Sequence, residues 1–232
     1  MKRLPAIAIS LALLPGLTAD PSSPTGDEIL ARIEAVNGRR QTRLKEYSGS
    51  RHYTLLNSRF GKEAAVTVTM KYREIDGEQY TVLKQSGSTK LIGIINSVLA
   101  SESRASVAPE NSRHQISAAN YRVRLLGMET IEGKPCYVLA LTPKNNSRYL
   151  IVGKAWVDAE NFGTVRLDGQ FAANISLLLG APRLREEFVE VNGFWLPSHV
   201  RSTTSSVLLG PTELDVVYSN YQLESTAILP HY

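Results

Sequence analysis

The stretch that decides the fold runs from Leu125 to Gly169 and reads LLGMETIEGKPCYVLALTPKNNSRYLIVGKAWVDAENFGTVRLDG. With the residues just outside it, this stretch divides into four short apolar-rich runs separated by turn residues. Gly, Asn and Asp supply the backbone conformations that tight reversals require. A parallel crossover needs about a dozen residues. The short gaps therefore predict an antiparallel meander of four strands: Tyr121–Met128, Pro135–Pro143, Tyr149–Asp158 and Thr164–Phe171.

Side-chain alternation within the meander predicts which faces are buried. In the last strand, a period of two places Val165, Leu167 and Phe171 on one face. In Pro135–Pro143 both faces are apolar, so a further layer must cover the second face of the sheet. An ordinary two-layer core would meet that need, and so would a curved sheet whose concave side holds a lid or an apolar ligand.

Composition places the chain among globular proteins and limits the classes of partner that it is predicted to bind. The 232 residues are 43% hydrophobic and 21% charged, which is typical of a folded domain. The formal net charge is +4, and Lys and Arg do not cluster beyond Arg39-Arg40. A nucleic-acid partner therefore has little support, and we predict none. The one cysteine, Cys136, has no second cysteine with which to form an intramolecular disulfide, and we predict an inert core thiol.

The first nineteen residues have the pattern of a secretory signal peptide. Lys2-Arg3 precede the apolar run Leu4–Leu17, and cleavage is predicted after Ala19, with residues 20–24 as a linker. An exported chain without a disulfide is typical of a bacterial envelope more than of a eukaryotic secreted module. We therefore predict a periplasmic protein, with a retained membrane anchor as the alternative for the first nineteen residues.

The rest of the chain is predicted to be mainly strand with a helix at its start. Thr25 and Glu28 have the spacing of a capping box, and apolar residues at helical spacing follow to about Asn37-Gly38. The helix either ends there or continues into the basic residues beyond. Six further runs are predicted strands and bring the total to about ten, which predicts a mainly β (α+β) fold. These runs are Gly49–Leu56, Ala64–Tyr72, Gln79–Gln85, Arg183–Val191, Phe194–Ser205 and Thr212–Leu223.

Two apolar inserts interrupt the strands. Apolar residues recur at spacings of three and four from Leu91 to Leu99, which predicts a helix, and Ala172–Ala181 is a second apolar run. Each either packs into the core or forms a lid over a ligand cavity. With four aromatic residues as a possible wall, the predicted cavity or lid residues are Leu91, Ile94, Ile95, Val98, Leu99, Tyr137, Trp156, Phe171, Ile175, Leu177, Leu178, Leu179 and Trp195.

No catalytic constellation emerges from the sequence. The four histidines lie in separate segments, and neither a metal-ligand spacing, a nucleophile motif nor a phosphate-binding glycine loop is present. Strand alternation places Glu186 and Glu190 on one face, roughly 13 Å apart, which is too far for a shared acid/base pair. We therefore predict a protein that is not an enzyme, with no cofactor and no metal. A hydrolase with an unrecognised site is the remaining alternative.

The order of elements and several short motifs resemble the outer-membrane lipoprotein-sorting (LolA/LolB-like) superfamily, which also includes periplasmic sensors of the RseB/MucB type. The similar segments are LGMETIEGKPCYVLALTP at 126–143, GKAWVD at 153–158, Val165-Arg166, FWLP at 194–197 and YSNY at 218–221. The resemblance covers about 25–226, which we interpret as one domain followed by a tail at 227–232.

This resemblance implies an unclosed antiparallel β-barrel with an N-terminal helix and a helical lid on its concave apolar face. It implies a carrier for lipids or lipidated proteins that holds acyl chains and serves transport in outer-membrane biogenesis. A membrane-bound donor or acceptor protein would then be a partner. The alternative that the resemblance allows is an RseB-like envelope-stress sensor that binds a membrane protein. It implies no catalytic residues.

Overall fold

The computed structural model describes residues 24–107, 113–174, 181–206 and 210–225. Two helices and ten strands lie within these ranges. In chain order they are α1 Gly26–Arg43, β1 Leu44–Asn57, β2 Lys62–Arg73, β3 Gly77–Gly87, α2 Thr89–Ala105, β4 Tyr121–Ile131, β5 Lys134–Pro143, β6 Ile151–Asp158, β7 Thr164–Phe171, β8 Arg183–Val191, β9 Phe194–Ser206 and β10 Gly210–Ser225.

All ten strands belong to one antiparallel sheet in the order β3-β2-β1-β10-β9-β8-β7-β6-β5-β4. Its two edge strands, β3 and β4, do not pair with each other, so the sheet forms an unclosed barrel. Both helices pack on the same face, which we call the inner face; the opposite face is the outer face. The predicted α+β fold of about ten antiparallel strands is confirmed, and so is the unclosed barrel that the resemblance implies.

Helix α1 begins at the predicted capping box. The Glu28 amide donates to Thr25 Oγ1 at 3.2 Å, and the Thr25 amide donates to Glu28 Oε2 at 2.7 Å. The helix continues past Gly38 to Arg43. Basic residues in its last turn interact favourably with the negative end of the helix dipole. Its apolar residues, including Ile29 and Ile33, pack on β4–β7 of the inner face.

Helix α2 is longer than its apolar pattern predicts, because it extends through polar residues to Ala105. Leu91, Ile95 and Leu99 recur every four residues and are buried against β1 and β2. The N-cap residue Ser88 makes no side-chain hydrogen bond to the helix. Contacts between α2 and the sheet therefore provide much of the stabilisation of this helix.

Two hairpins have the turn conformation that their sequences predict. Glu132-Gly133 joins β4 to β5 with φ of 49° and 83°, and Asn192-Gly193 joins β8 to β9 with φ of 51° and 80°. Positive φ at both central residues is the two-residue turn that matches the twist of the flanking strands. These turns fix the register of both hairpins.

One predicted face assignment is wrong because β7 contains a bulge. Trp156 of β6 pairs with Arg166, and Val157 pairs with Thr164, which leaves Val165 as an extra residue. Val165 consequently joins an outer-face cluster, whereas Leu167 packs against the α1 cluster on the inner face. Strict alternation cannot predict this, since one inserted residue reverses the phase.

The prediction that Glu186 and Glu190 share a face is also wrong, because the pairing of β8 with β9 is irregular. The register shifts between Glu187 and Phe188, so Glu186 and Glu190 do not share a face. Glu186 lies opposite Val200 of the inner face. Glu190 lies opposite Trp195 on the outer face, with its Oε2 3.5 Å from Lys134 Nζ.

Several predictions concern residues outside the described ranges. They are the signal peptide and its cleavage after Ala19, residues 20–23 of the linker, the residues Ile175 and Leu177–Leu179, and the tail 227–232. Within the described ranges, no helix is long and apolar enough to cross a membrane.

Candidate functional site

The predicted lid residues of α2 lie together on the inner face. Ile95 is fully buried, Leu91 and Leu99 are nearly so, and Ile94 and Val98 are partly buried around them. Their partners are apolar side chains of the first strands, including Tyr53, Leu55, Val66 and Val68. In this conformation the α2 side chains pack directly on the inner face of β1 and β2.

The predicted aromatic wall is divided between the two faces of the sheet. Tyr137 is on the inner face, where its ring stacks on Phe162 at 6.1 Å near α1. Trp156 and Trp195 lie in a cluster on the outer face with Cys136 and Val138. Phe171 is half-buried at the end of β7. The two tryptophans and the α2 residues therefore do not line one surface.

The outer-face cluster borders a groove between the β4–β5 and β8–β9 hairpins. The groove has a volume of about 350 Å³, and Ile131, Val165, Phe188 and Trp195 are among its lining residues. Trp195 is fixed by a 3.1 Å hydrogen bond from its Nε1 to Asn161 Oδ1. Lys134 Nζ lies 5.0 Å from the Trp195 ring centroid. The groove is thus small, and both apolar and charged side chains line it, the charged ones being Glu132, Lys134 and Glu190.

A buried charged cluster on the inner face is the feature that the sequence interpretation missed. Arg51 of β1 is only 5% exposed. Its Nη2 donates to Glu78 Oε1 of β3 at 2.6 Å, and its Nη1 donates to Glu102 Oε2 of α2 at 3.0 Å. The salt bridge between Arg51 and Glu102 joins the C-terminal half of α2 to the sheet. We call Arg51, Tyr53, Glu78, Tyr80 and Glu102 the interior cluster.

Tyrosines complete the hydrogen bonding of the interior cluster. Tyr53 donates to Glu102 Oε2 at 2.7 Å, and Tyr80 donates to Glu78 Oε2 at 2.5 Å. Arg51 Nη1 also donates to the Tyr80 hydroxyl. The rings of Tyr80 and Tyr218 lie 5.1 and 4.9 Å from the Arg51 guanidinium, within the range of cation–π attraction. Among the described residues, the buried Nε of Arg51 has no hydrogen-bond partner.

Burial changes the proton affinity of two carboxyl groups of the inner face, Glu102 and Glu186. Burial acts to lower the pKa of Arg51, but the Glu78 carboxylate and the other neighbours raise it overall, so Arg51 stays charged. Burial raises the pKa of Glu102 despite its contact with Arg51. On β8, burial and then the charge of Glu102 raise the pKa of Glu186 to about 7. The inner face therefore holds carboxyl groups that exchange protons at higher pH than exposed ones.

A signal for the cluster was present in the sequence. On β1, Arg51 lies on the same face as Tyr53 and Leu55, so the alternation places a cation within an apolar face. On α2, Glu102 continues the stripe of buried residues one turn beyond Leu99. A charged residue on each of two apolar faces indicates an ion pair between them.

Neither a metal-binding cluster nor an activated thiol is found among the described residues. In the part of the chain that the structure describes, no group of three or more His, Cys, Asp or Glu side chains could hold a metal ion. Burial raises the pKa of the Cys136 thiol, which disfavours the nucleophilic thiolate. The inner face offers an apolar helix over an apolar sheet, with one charged contact between them.

A model of the MucB/RseB N-terminal domain family matches residues 31–168, more than half of the chain. The chain belongs to the MucB/RseB N-terminal domain family. The resemblance to periplasmic sensors of the RseB/MucB type is thereby confirmed. No curated protein matches the chain.

Similar solved structures include a LolA superfamily protein, a lipoprotein-sorting protein domain and MucB. A LolA superfamily protein from Nitrosomonas europaea is 14% identical, with 88% of this chain and 96% of that chain covered and a TM-score of 0.42. A putative outer-membrane lipoprotein-sorting protein domain from Vibrio parahaemolyticus is 11% identical, with 88% and 94% covered and a TM-score of 0.44. MucB in complex with MucA(peri) is 11% identical, with 87% and 100% covered and a TM-score of 0.26.

Proposed function

We propose that this chain is a periplasmic carrier or binding protein that holds the acyl chains of a lipid or lipidated protein on its inner face. The observation that carries the proposal is the apolar stripe of α2, which covers β1 and β2 through Leu91, Ile95 and Leu99. Membership of the MucB/RseB N-terminal domain family supports it. In this proposal residues 1–19 are an export signal and residues 25–226 form one domain.

The energetics require α2 to move when a ligand binds. An acyl chain would take the place of the three buried α2 side chains, each worth about 1.5–3 kcal/mol of burial. At about 0.8 kcal/mol per methylene, a chain of roughly 12 methylenes contributes about 10 kcal/mol. Long chains therefore offset the lost α2 contacts, whereas chains of about six carbons do not.

Native mass spectrometry after gentle purification, together with lipid extraction, tests the proposal. The mature protein should carry lipid or, once delipidated, take up a 16-carbon fatty acid but not a six-carbon one. The matched variant Ile95→Asp puts a charge where the acyl chain would lie and should lose uptake. The control Asn96→Asp changes an exposed neighbour and should bind as the wild type does. A protein that carries no lipid and takes up neither acid contradicts the proposal.

A second candidate is a sensor or regulatory module that binds a membrane protein. The groove between the β4–β5 and β8–β9 hairpins favours it, because this groove gives a partner side chain a place on the outer face beside Trp195. The expected result is capture of an inner-membrane protein by the wild type, with loss of capture on Trp195→Ala and no lipid transfer between vesicles. Lipid transfer that survives Trp195→Ala favours the carrier.

A further inference from the structure

The side of α2 that faces the sheet ends in a carboxylate. Leu91, Ile95 and Leu99 are buried in the cluster over β1 and β2, and Glu102 continues the same stripe near the end of the helix. At about 1.5 Å per residue, the stripe from Leu91 to Glu102 is about 16 Å long. An apolar stripe with a carboxylate at one end has the same chemical pattern as a long-chain fatty acid.

The sheet supplies two hydrogen-bond donors to that carboxylate. Arg51 Nη1 donates to Glu102 Oε2 at 3.0 Å, and the Tyr53 hydroxyl donates to the same oxygen at 2.7 Å. The Tyr80 hydroxyl lies 3.1 Å from this oxygen and donates to Glu78 Oε2 at 2.5 Å. Arg51 and Tyr53 belong to β1 and Tyr80 to β3, so all three stay in place if α2 leaves the sheet.

The position of the Glu102 carboxylate is closed towards the sheet and open towards solvent. The Arg51 side chain is 6% exposed, whereas the Glu102 side chain is 29% exposed. Among the described residues, the buried Nε of Arg51 has no hydrogen-bond partner. Since an unsatisfied buried donor is costly, a further acceptor oxygen beside Arg51 would be stabilising.

The interior cluster already accommodates an anion at this position. Glu78 makes the shorter salt bridge to Arg51, at 2.6 Å, and Glu102 makes the longer one, at 3.0 Å. Glu78 belongs to the sheet, so Glu102 is the partner that a movement of α2 would remove. A ligand carboxylate or phosphate in its place would restore the ion pair to Arg51, whereas a neutral ligand would not.

We propose that Arg51 and Tyr53 bind the anionic headgroup of the ligand, and that Glu102 occupies this headgroup site in the ligand-free protein. The ligand is an acyl chain that ends in a carboxylate or phosphate, and its chain lies where Leu91, Ile95 and Leu99 now pack. An acyl chain joined to a protein through an ester or amide bond carries no such charge. The site therefore favours acidic lipids over lipidated proteins. This inference rests on the proposed carrier function, which it narrows.

Competition between two 16-carbon ligands for the delipidated protein tests the headgroup site. Hexadecanoic acid and hexadecanol have the same chain, and only the acid is ionised at pH 8. Native mass spectrometry with an equimolar mixture gives the ratio of bound acid to bound alcohol, which should be about 30-fold in favour of the acid. Equal binding overturns the headgroup site but leaves the carrier function. Binding of neither ligand overturns both.

Two tyrosine substitutions separate the site from a general effect on the fold. Tyr53→Phe removes one donor and should lower the ratio about fivefold. Weaker docking of α2 alone would change the affinity for both ligands equally and leave the ratio unchanged. The control Tyr121→Phe alters a buried tyrosine beside α1, whose hydroxyl accepts from the Ile151 amide at 2.9 Å, and should keep the wild-type ratio. An unchanged ratio in Tyr53→Phe, or an equal fall in both folded variants, overturns the proposal.

Two further measurements test the role of Glu102 and the need for an acyl chain. Glu102→Gln removes the competing charge and should raise the affinity for hexadecanoic acid about fivefold; an unchanged or lower affinity overturns the occupancy of the site by Glu102. Excess acetate should not displace hexadecanoic acid from the wild type, because acetate lacks the chain that offsets the lost α2 contacts. Displacement by acetate would assign the site to small free anions and overturn a headgroup site.

Discussion

The two halves of the inner face are covered by helices that are held in different ways. Helix α1 has a complete capping box and packs on β4–β7 through apolar side chains. Its Gly26 lies against β4, where an added Cβ would be 3.2 Å from the Val123 carbonyl oxygen. Helix α2 has no side-chain N-cap bond, and its apolar contacts are supplemented by the Arg51–Glu102 ion pair.

This difference indicates which of the two helices can move relative to the sheet. The contacts of α1 with the sheet are mainly apolar, so they depend little on pH near neutrality and would be lost together only on unfolding. The contact of α2 includes a buried ion pair, whose net contribution depends on the protonation of its partners. We therefore treat α1 as a fixed part of the fold and α2 as the movable cover, and the predictions below test that division.

The largest effect should come from removing the cation of the interior cluster. Arg51→Met leaves the partly buried carboxylates of Glu78 and Glu102 without their partner, and should lower the unfolding free energy by about 3 kcal/mol at pH 8. Urea denaturation followed by circular dichroism measures it. Arg166→Met is the control, because Arg166 pairs with Glu187 at 3.3 Å on the outer face and is more exposed. That pair should be worth about 0–1 kcal/mol, and equal losses in the two variants would refute the special role of Arg51.

Shortening an equally buried side chain should have a different kind of effect on stability in each of the two helices. Ile33 of α1 and Ile95 of α2 are equally buried, at 1% and 0% exposure. Ile33→Ala should cost about 2–5 kcal/mol of global stability. Ile95→Ala should cost less than half of that, while amide hydrogen exchange accelerates in α2 alone, because α2 can open locally. Equal global losses, with no local acceleration in α2, would mean that both helices belong to one cooperative unit.

The carboxyl group of Glu186 should make stability depend on pH. Its pKa is about 7 in the folded protein and near 4.5 when exposed, so the folded state holds a proton that the unfolded state has released. Wild-type stability should therefore fall relative to Glu186→Gln as pH rises from 4.5 to 7, with a full difference of at most about 3 kcal/mol above 7. Thermal unfolding across that range measures it. Parallel curves for the two proteins would contradict the assignment.

The smallest effect should be at the start of α1. Thr25→Ala removes the side-chain oxygen that caps the helix, and should lower the unfolding free energy by about 1 kcal/mol at neutral pH. Ser88→Ala, at the start of α2, should change stability by much less, because Ser88 makes no side-chain capping bond. Chemical denaturation of both variants compares the two caps directly, and an equal or larger loss in Ser88→Ala would contradict the contrast between them.

Local patterns were sufficient to predict most of the fold. Turn residues such as Asn192-Gly193 and the capping box at Thr25 each act within a few residues, so strands, hairpins and α1 could be predicted from the sequence. The faces of Val165 and Glu190 could not, because one bulge or register shift reverses the alternation. The interior cluster joins Arg51 to Glu102 across 51 positions, and only the packing of α2 brings them together.

Fluorescence quenching by a brominated 16-carbon fatty acid tests the central claim most directly. Trp156 and Trp195 both lie on the outer face, whereas Val98 lies in the α2 cluster of the inner face. If α2 covers the ligand site, bound acid should quench the added fluorescence of Val98→Trp and leave the two native tryptophans unchanged in the wild type. Quenching of the native tryptophans, with none at position 98 while binding is demonstrated by mass spectrometry, would contradict the account.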